Sequence, residues 1–149
     1  MATWAEFETA APEMAAAGWR LLSHPGFGFG YLATVRRDGG PRLHPINPIL
    51  AAGQLTAFIV PSPKLEDLRR DGRYALHSCG AEHVDDEFYV TGRALVAASP
   101  ELLGAALAAC HFTPGADHEL VEFGIDAALW AHYSTPPSWP PVYTRWAAG

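Results

Sequence analysis

The sequence predicts a mainly β, α+β fold: a small antiparallel barrel with a helical N-terminus and helices in its crossovers. Three observations predict it. Six or seven short runs rich in alternating apolar residues are spread along the chain. Glycine turns, Asp38-Gly39-Gly40 and Ala52-Gly53-Gln54, join neighbouring runs as hairpins. Two Ser-Pro pairs, Ser62-Pro63 and Ser99-Pro100, interrupt the strands where the apolar period changes.

The 149 residues suit a single domain, 1–149, with one core. Hydrophobic residues at 49% and charged residues at 17% exclude a disordered chain. No apolar run approaches the roughly 18 residues that cross a membrane. The N-terminus, MATWAEFETAAPEM, is acidic and lacks a basic-then-apolar leader, so the expected setting is the cytoplasm, without a membrane.

Thr3-Trp4-Ala5-Glu6 has the form of a capping box, in which hydroxyl and carboxylate each satisfy one backbone N–H. A helical region follows from Ala5 to Leu22, broken or restarted at Pro12 and stopped by His24-Pro25-Gly26. GYLATV alternates as a strand, and PRLHPINPIL and Leu55–Val60 follow as the second and third. The segment Ser62–Arg70 is a short helix with Leu65 and Leu68 on one face, ended by Asp71-Gly72. Arg73–Cys79 is the fourth strand, and FYVTGRALVAA the fifth. In the fifth, Phe88, Val90, Gly92, Ala94 and Val96 share a face, and Gly92 marks a bend of the kind barrel corners need. A helix from Ser99 to near His111, a further short helix over Ala116–Phe123, and strands at Ala127–Ser134 and Val142–Ala147 complete the reading.

The net charge of −6 argues against a nucleic-acid binder. Yet seven of the ten basic residues lie between Arg36 and Arg73 with four acids, so that stretch nets +3 and the remainder −9. A basic middle in an acidic chain fits a small anionic ligand better than a polyanion. Lys64, the only lysine, stands in the first turn of a helix. The dipole disfavours a cation there, and a bound phosphate would explain it. Pro63 has no N–H, but those of Lys64 and Leu65 remain available, and the Ser62 hydroxyl could either cap the helix or donate to the anion. Arg42 and His44, two apart on a strand, share a face. If that face looks toward the Ser62 helix, both join the same ligand.

Other motifs are weaker. Gly26, Gly28 and Gly30 follow a helix and open a strand, the reverse of a dinucleotide loop. His77, His83, His111, His118 and His132 match no metal spacing, and Cys110, His111, Asp117 and His118 match no standard site, so no metal is expected. Cys79 and Cys110 read as free thiols. No GxSxG elbow or placed acid pair supplies a side-chain nucleophile, so no catalytic residue is assigned and the chemistry falls to a cofactor.

The ordered segments GYLATVRRDGGPRLHPINPIL, GQLTAFIVPSPKLEDLRRDGRYALHS and DDEFYVTGRA resemble the pyridoxamine 5'-phosphate oxidase-like, flavin-binding split-barrel superfamily over about Gly30 to Ala94. FETAAPEMAAAGWRLL and VYTRW are similar to members common in actinobacteria. The resemblance implies a six-stranded split barrel acting as a homodimer, with FMN at the subunit interface. A branch of the superfamily binds a deazaflavin coenzyme, and some members bind haem. Carried over by position, Lys64 holds the flavin phosphate and Ser62 lies on the same loop. His44, Pro45 and Ile46 run along the isoalloxazine, while Phe58 and Glu87 flank the ring. His44 stands where the true oxidases have arginine, which shifts the phosphate onto Arg42 and Lys64. Trp146 is the aromatic residue a partner subunit would lend.

The chain ends at TRWAAG without the basic and histidine-bearing segment of the true oxidases, so it is not read as one. The expectation is an FMN-dependent oxidoreductase acting on an unidentified small organic substrate. The alternatives are a deazaflavin-dependent reductase of the same fold, with Arg69, Arg70 and Arg73 serving the longer tail, or a non-catalytic flavin- or haem-binding module.

Overall fold

The computed structural model describes residues 1–23, 28–80, 85–134, 136 and 138–149. Helices α1 (Trp4–Ala10) and α2 (Pro12–Leu22) lead into β1 (Gly30–Val35), β2 (Pro41–Ile46), β3 (Ile49–Ala51) and β4 (Gln54–Ile59). Then come α3 (Pro63–Arg70), β5 (Arg73–Ser78), β6 (Glu87–Val96), α4 (Pro100–Ala109), β7 (Glu119–His132) and β8 (Val142–Ala147). The expected stop at His24-Pro25-Gly26, with Gly26 itself, and His83 lie outside the described residues.

Local chemistry sets the helix ends. The Thr3 hydroxyl accepts from the Glu6 N–H at 3.1 Å, and the Glu6 carboxylate accepts from the Thr3 N–H at 2.7 Å, completing the capping box. Pro12 starts a fresh helix after Ala11, whose ψ of 65° is non-helical. Ser99 caps α4 through the Leu102 N–H at 3.2 Å. Ser62 does not cap α3; its hydroxyl donates to the Val60 carbonyl at 2.8 Å.

All strand pairs are antiparallel. Seven strands run in the order β2-β1-β5-β6-β7-β4-β3, and β8 pairs with β7 off that path. The sheet curls around Trp4, Phe7, Leu22, Leu32, Leu55, Leu65, Leu76, Phe88, Val90, Phe123 and Ile125, all buried. A second cluster, Ile49, Ala51, Phe58, Leu102, Ala106 and Leu120, forms under α4. The register of β6 on β7 shifts between Thr91 and Gly92. A Cβ at Gly92 would stand 1.9 Å from the Gly124 carbonyl oxygen, so only glycine lets the strands close at this bend.

Two expectations are corrected. The described residues form eight strands rather than six. PRLHPINPIL divides at Asn47-Pro48 into β2 and β3, because Pro48 brings no N–H to a ladder. Residues 116–123 are not a helix: Glu119–Phe123 opens the 14-residue β7. That half pairs with β4 on one side and β6 on the other, and this double pairing overrides a local sequence that reads equally well as helical. No helix among the described residues is long and apolar enough to cross a membrane.

Candidate anion-binding site

Antiparallel register places Arg42 opposite Thr34 and His44 opposite Leu32. Side chains alternate along a strand, so Arg42, His44 and Ile46 share the concave face with Leu32 and Thr34. Helix α3 packs over that face against β1 and β6, anchored by buried Leu65 and Leu68.

Asp67 of α3 points into the same region with a side-chain exposure of 4%. Its Oδ2 accepts from Arg42 Nε at 2.7 Å and from the Thr34 hydroxyl at 3.0 Å, and its Oδ1 from Arg70 Nη1 at 3.2 Å. Burial pushes the Asp67 carboxyl up, but the hydrogen bonds from Arg42, Thr34 and Arg70 outweigh it and hold the pKa below the usual value. Arg42 is thereby locked through its Nε. Its two Nη atoms donate to no described residue.

His44 is half-buried, and its pKa is lowered by burial first, then by Lys64 and Arg42, against a raising contribution from Asp67. The charges of Lys64, Arg42 and Asp67 thus all reach the His44 ring. Lys64 is half-buried, and burial lowers its pKa. Among the described residues it has no ion-pair partner. The Lys64 and Leu65 amides in the first turn of α3 likewise donate to no described residue. A lysine in the first turn of α3, two free amides there, and an arginine and a histidine on the facing strand are groups of the kind that suit a dianionic phosphate.

Arg42 and His44 share a face of β2, and His44 senses the charge of Lys64; Ser62 stands just before α3 with its hydroxyl turned to the Val60 carbonyl. The structure sets Ile46 in the main core and Pro45 on the opposite face of β2, across from Tyr31. Phe58 packs in the second cluster with Leu102 and Ala106. Glu87 is exposed at the start of β6, opposite Ala131. Trp146 packs within its own chain, its ring centroid 4.9 Å from that of Phe7. Asp67 and Thr34 were not foreseen as site residues, and Arg70 was foreseen only for a deazaflavin tail.

A second polar node surrounds Asp86. It accepts from the Trp130 indole N–H at 3.2 Å and the Tyr133 N–H at 2.9 Å, and it bonds the His132 ring at 2.9 Å. Cys79 and Cys110 are free thiols. No group of three metal-ligating side chains occurs among the described residues.

No protein-family model matches the chain, and no curated protein matches it in sequence. Solved structures do match its fold. A haem-binding protein from Mycobacterium smegmatis aligns with a TM-score of 0.67 at 16% identity, over 89% of this chain and 57% of that one. This chain therefore spans little more than half of that protein's length. A NimC/NimA family protein from Clostridium acetobutylicum aligns at 0.64 and 17% identity, over 90% and 94% of the two chains. General Stress Protein 26 from Bacillus anthracis aligns at 0.62 and 18%, over 88% and 97%. The fold these proteins share with the chain is the split barrel.

Proposed function

We propose that the chain is a flavin-binding member of the pyridoxamine 5'-phosphate oxidase-like superfamily that holds FMN by its phosphate at Lys64, Arg42 and His44. What supports this reading is the charge of Lys64 and Arg42 felt at His44, together with the free amides in the first turn of α3. A bound flavin would supply redox chemistry, exchanging an electron pair with a small organic substrate as hydride at its N5. The chain's own groups bind and orient it: Lys64 and Arg42 neutralise the phosphate, while the α3 amides fix its direction.

Arg69, Arg70 and Arg73, which a deazaflavin tail would need, each already hold carboxylates: Glu66 and Glu119, Asp67, and Asp71. Those pairs engage Nη atoms, whereas Arg42 meets Asp67 through Nε alone and keeps its Nη atoms for a ligand, which favours the shorter FMN tail. The name of the Mycobacterium smegmatis protein supports haem as the second reading. Exposed Pro45 and Glu87 would meet the ring only across a subunit boundary, whereas Ile46 and Phe58 are taken up by the chain's own core clusters. Exposed Tyr31, Leu43 and Tyr143, at 39%, 63% and 44%, support a homodimer with a second copy on that face.

The absorbance spectrum of the purified, untagged protein, followed by titration with FMN, the deazaflavin coenzyme and haem, tests the reading. Saturable FMN binding that free inorganic phosphate competes away is expected. Selective uptake of either other cofactor, or of none, overturns it.

A further inference from the structure

A cleft of about 430 Å³ opens between the α1–α2 turn and β8, lined by Pro12, Glu13, Met14, Trp130, Thr144 and Trp146 among others. That volume suits a small molecule. None of the elements around it carries Arg42, His44 or Lys64.

The β7–β8 register decides which side chains face the cleft. Trp130 lies opposite Thr144, and Ala128 opposite Trp146. By alternation Trp130, Thr144 and Trp146 share one face, the face packed on the main core. Arg145, opposite Leu129, points the other way, with its guanidinium carbon 5.5 Å from the Tyr143 ring centroid. Arg145 is thus part of the cleft's lining, with its guanidinium directed to Tyr143. The other charged residue of the lining is Glu13, in the first turn of α2. Upstream of Arg20 the chain carries Glu6, Glu8 and Glu13 and no lysine or arginine. Glu6 is taken up by Thr3.

Two indole rings and one carboxylate around a cleft select for positive charge, because the aromatic face attracts cations electrostatically. Trp130 is reinforced from behind. Its indole N–H donates to Asp86 at 3.2 Å, and burial of that carboxyl is outweighed by its hydrogen bonds, which keep it ionised. An ionised acceptor on the N–H pushes electron density into the ring and fixes the ring's orientation. We propose that this cleft binds a substituted ammonium ion with an apolar body: the cationic head over Trp130 and Trp146 beside Glu13, the body against Met14 and Pro12. The site is independent of the flavin.

The probes are phenyltrimethylammonium and benzenesulfonate, similar in shape and opposite in charge, titrated by tryptophan fluorescence and calorimetry. The cation is expected to bind saturably and the anion at least tenfold more weakly. Glu13→Gln, on an exposed turn, should weaken the cation about threefold. Trp146→Leu should weaken it about tenfold, with folding checked by circular dichroism. Lys64→Ala should leave its affinity unchanged, which separates this site from the phosphate site. Equal binding of both probes, no saturable binding of the cation, or full affinity in the well-folded Glu13→Gln protein overturns the proposal.

Discussion

Replacing Asp67 with Asn tests how the concave face is held together. The side chain is 4% exposed and receives hydrogen bonds from Arg42, Thr34 and Arg70. The amide keeps the shape and one acceptor but leaves two guanidinium groups without their counter-charge. Breaking a fully buried pair costs about 3–5 kcal/mol. Arg42 and Arg70 retain 29% and 34% of their side-chain exposure, so water screens part of the orphaned charge. The lower end, about 3 kcal/mol, is the expected loss. Against a typical stability of about 5–15 kcal/mol this is a large fraction, equivalent to roughly 6–12 °C in melting temperature.

The same substitution changes the acid limb. The folded pKa of Asp67 lies below its ordinary 3.8, so its contribution is complete above that value and is lost as the pH falls below it. The wild-type protein should lose stability on acidification below about pH 4 more steeply than Asp67→Asn. Urea unfolding at pH 7 and pH 3 measures both effects. A loss under about 1 kcal/mol at pH 7 with an unchanged denaturant slope, or parallel acid limbs, would refute the claim that this carboxylate anchors α3 to β1 and β2.

Three further outcomes are expected. Gly92→Ala should destabilise by more than about 3 kcal/mol or abolish soluble expression, since its Cβ would meet the Gly124 oxygen at 1.9 Å; thermal melting checks this. Thr3→Ala should cost about 1 kcal/mol in the same assay by removing the α1 cap. The His44 ring should titrate below its usual 6.5 by NMR, with burial as the main cause, and should rise toward that value in Lys64→Ala; a pKa above 7 in the wild type would contradict the cluster.

Much of the fold was legible where one short segment decides its own structure. Thr3 and Glu6 form the cap their spacing announces, Pro12, Pro63 and Pro100 start helices, and Gly92 sits at the bend. Glu119–Phe123 was not legible, because its strand character comes from β4 and β6 pairing on either side, which no local window contains. The site divides the same way. Arg42 and His44 share a face by strand period, and Lys64 stands out in a first turn, so each was singled out by local rules. Asp67 was missed because one acid among four in a basic stretch carries no mark of burial until α3 is docked. Phe58 could not be placed without α4, whose packing claims its face of β4.

The central claim is that Lys64 and its neighbours hold a flavin phosphate, and the most direct test is FMN titration of the wild type beside Lys64→Ala, read by flavin fluorescence. A charge-assisted hydrogen bond of about 1.5–3 kcal/mol should disappear, so the variant is expected to bind at least tenfold more weakly. Riboflavin, which lacks the phosphate, should bind both proteins equally. An FMN affinity unchanged by Lys64→Ala, or a riboflavin affinity equal to that of FMN in the wild type, would contradict the account.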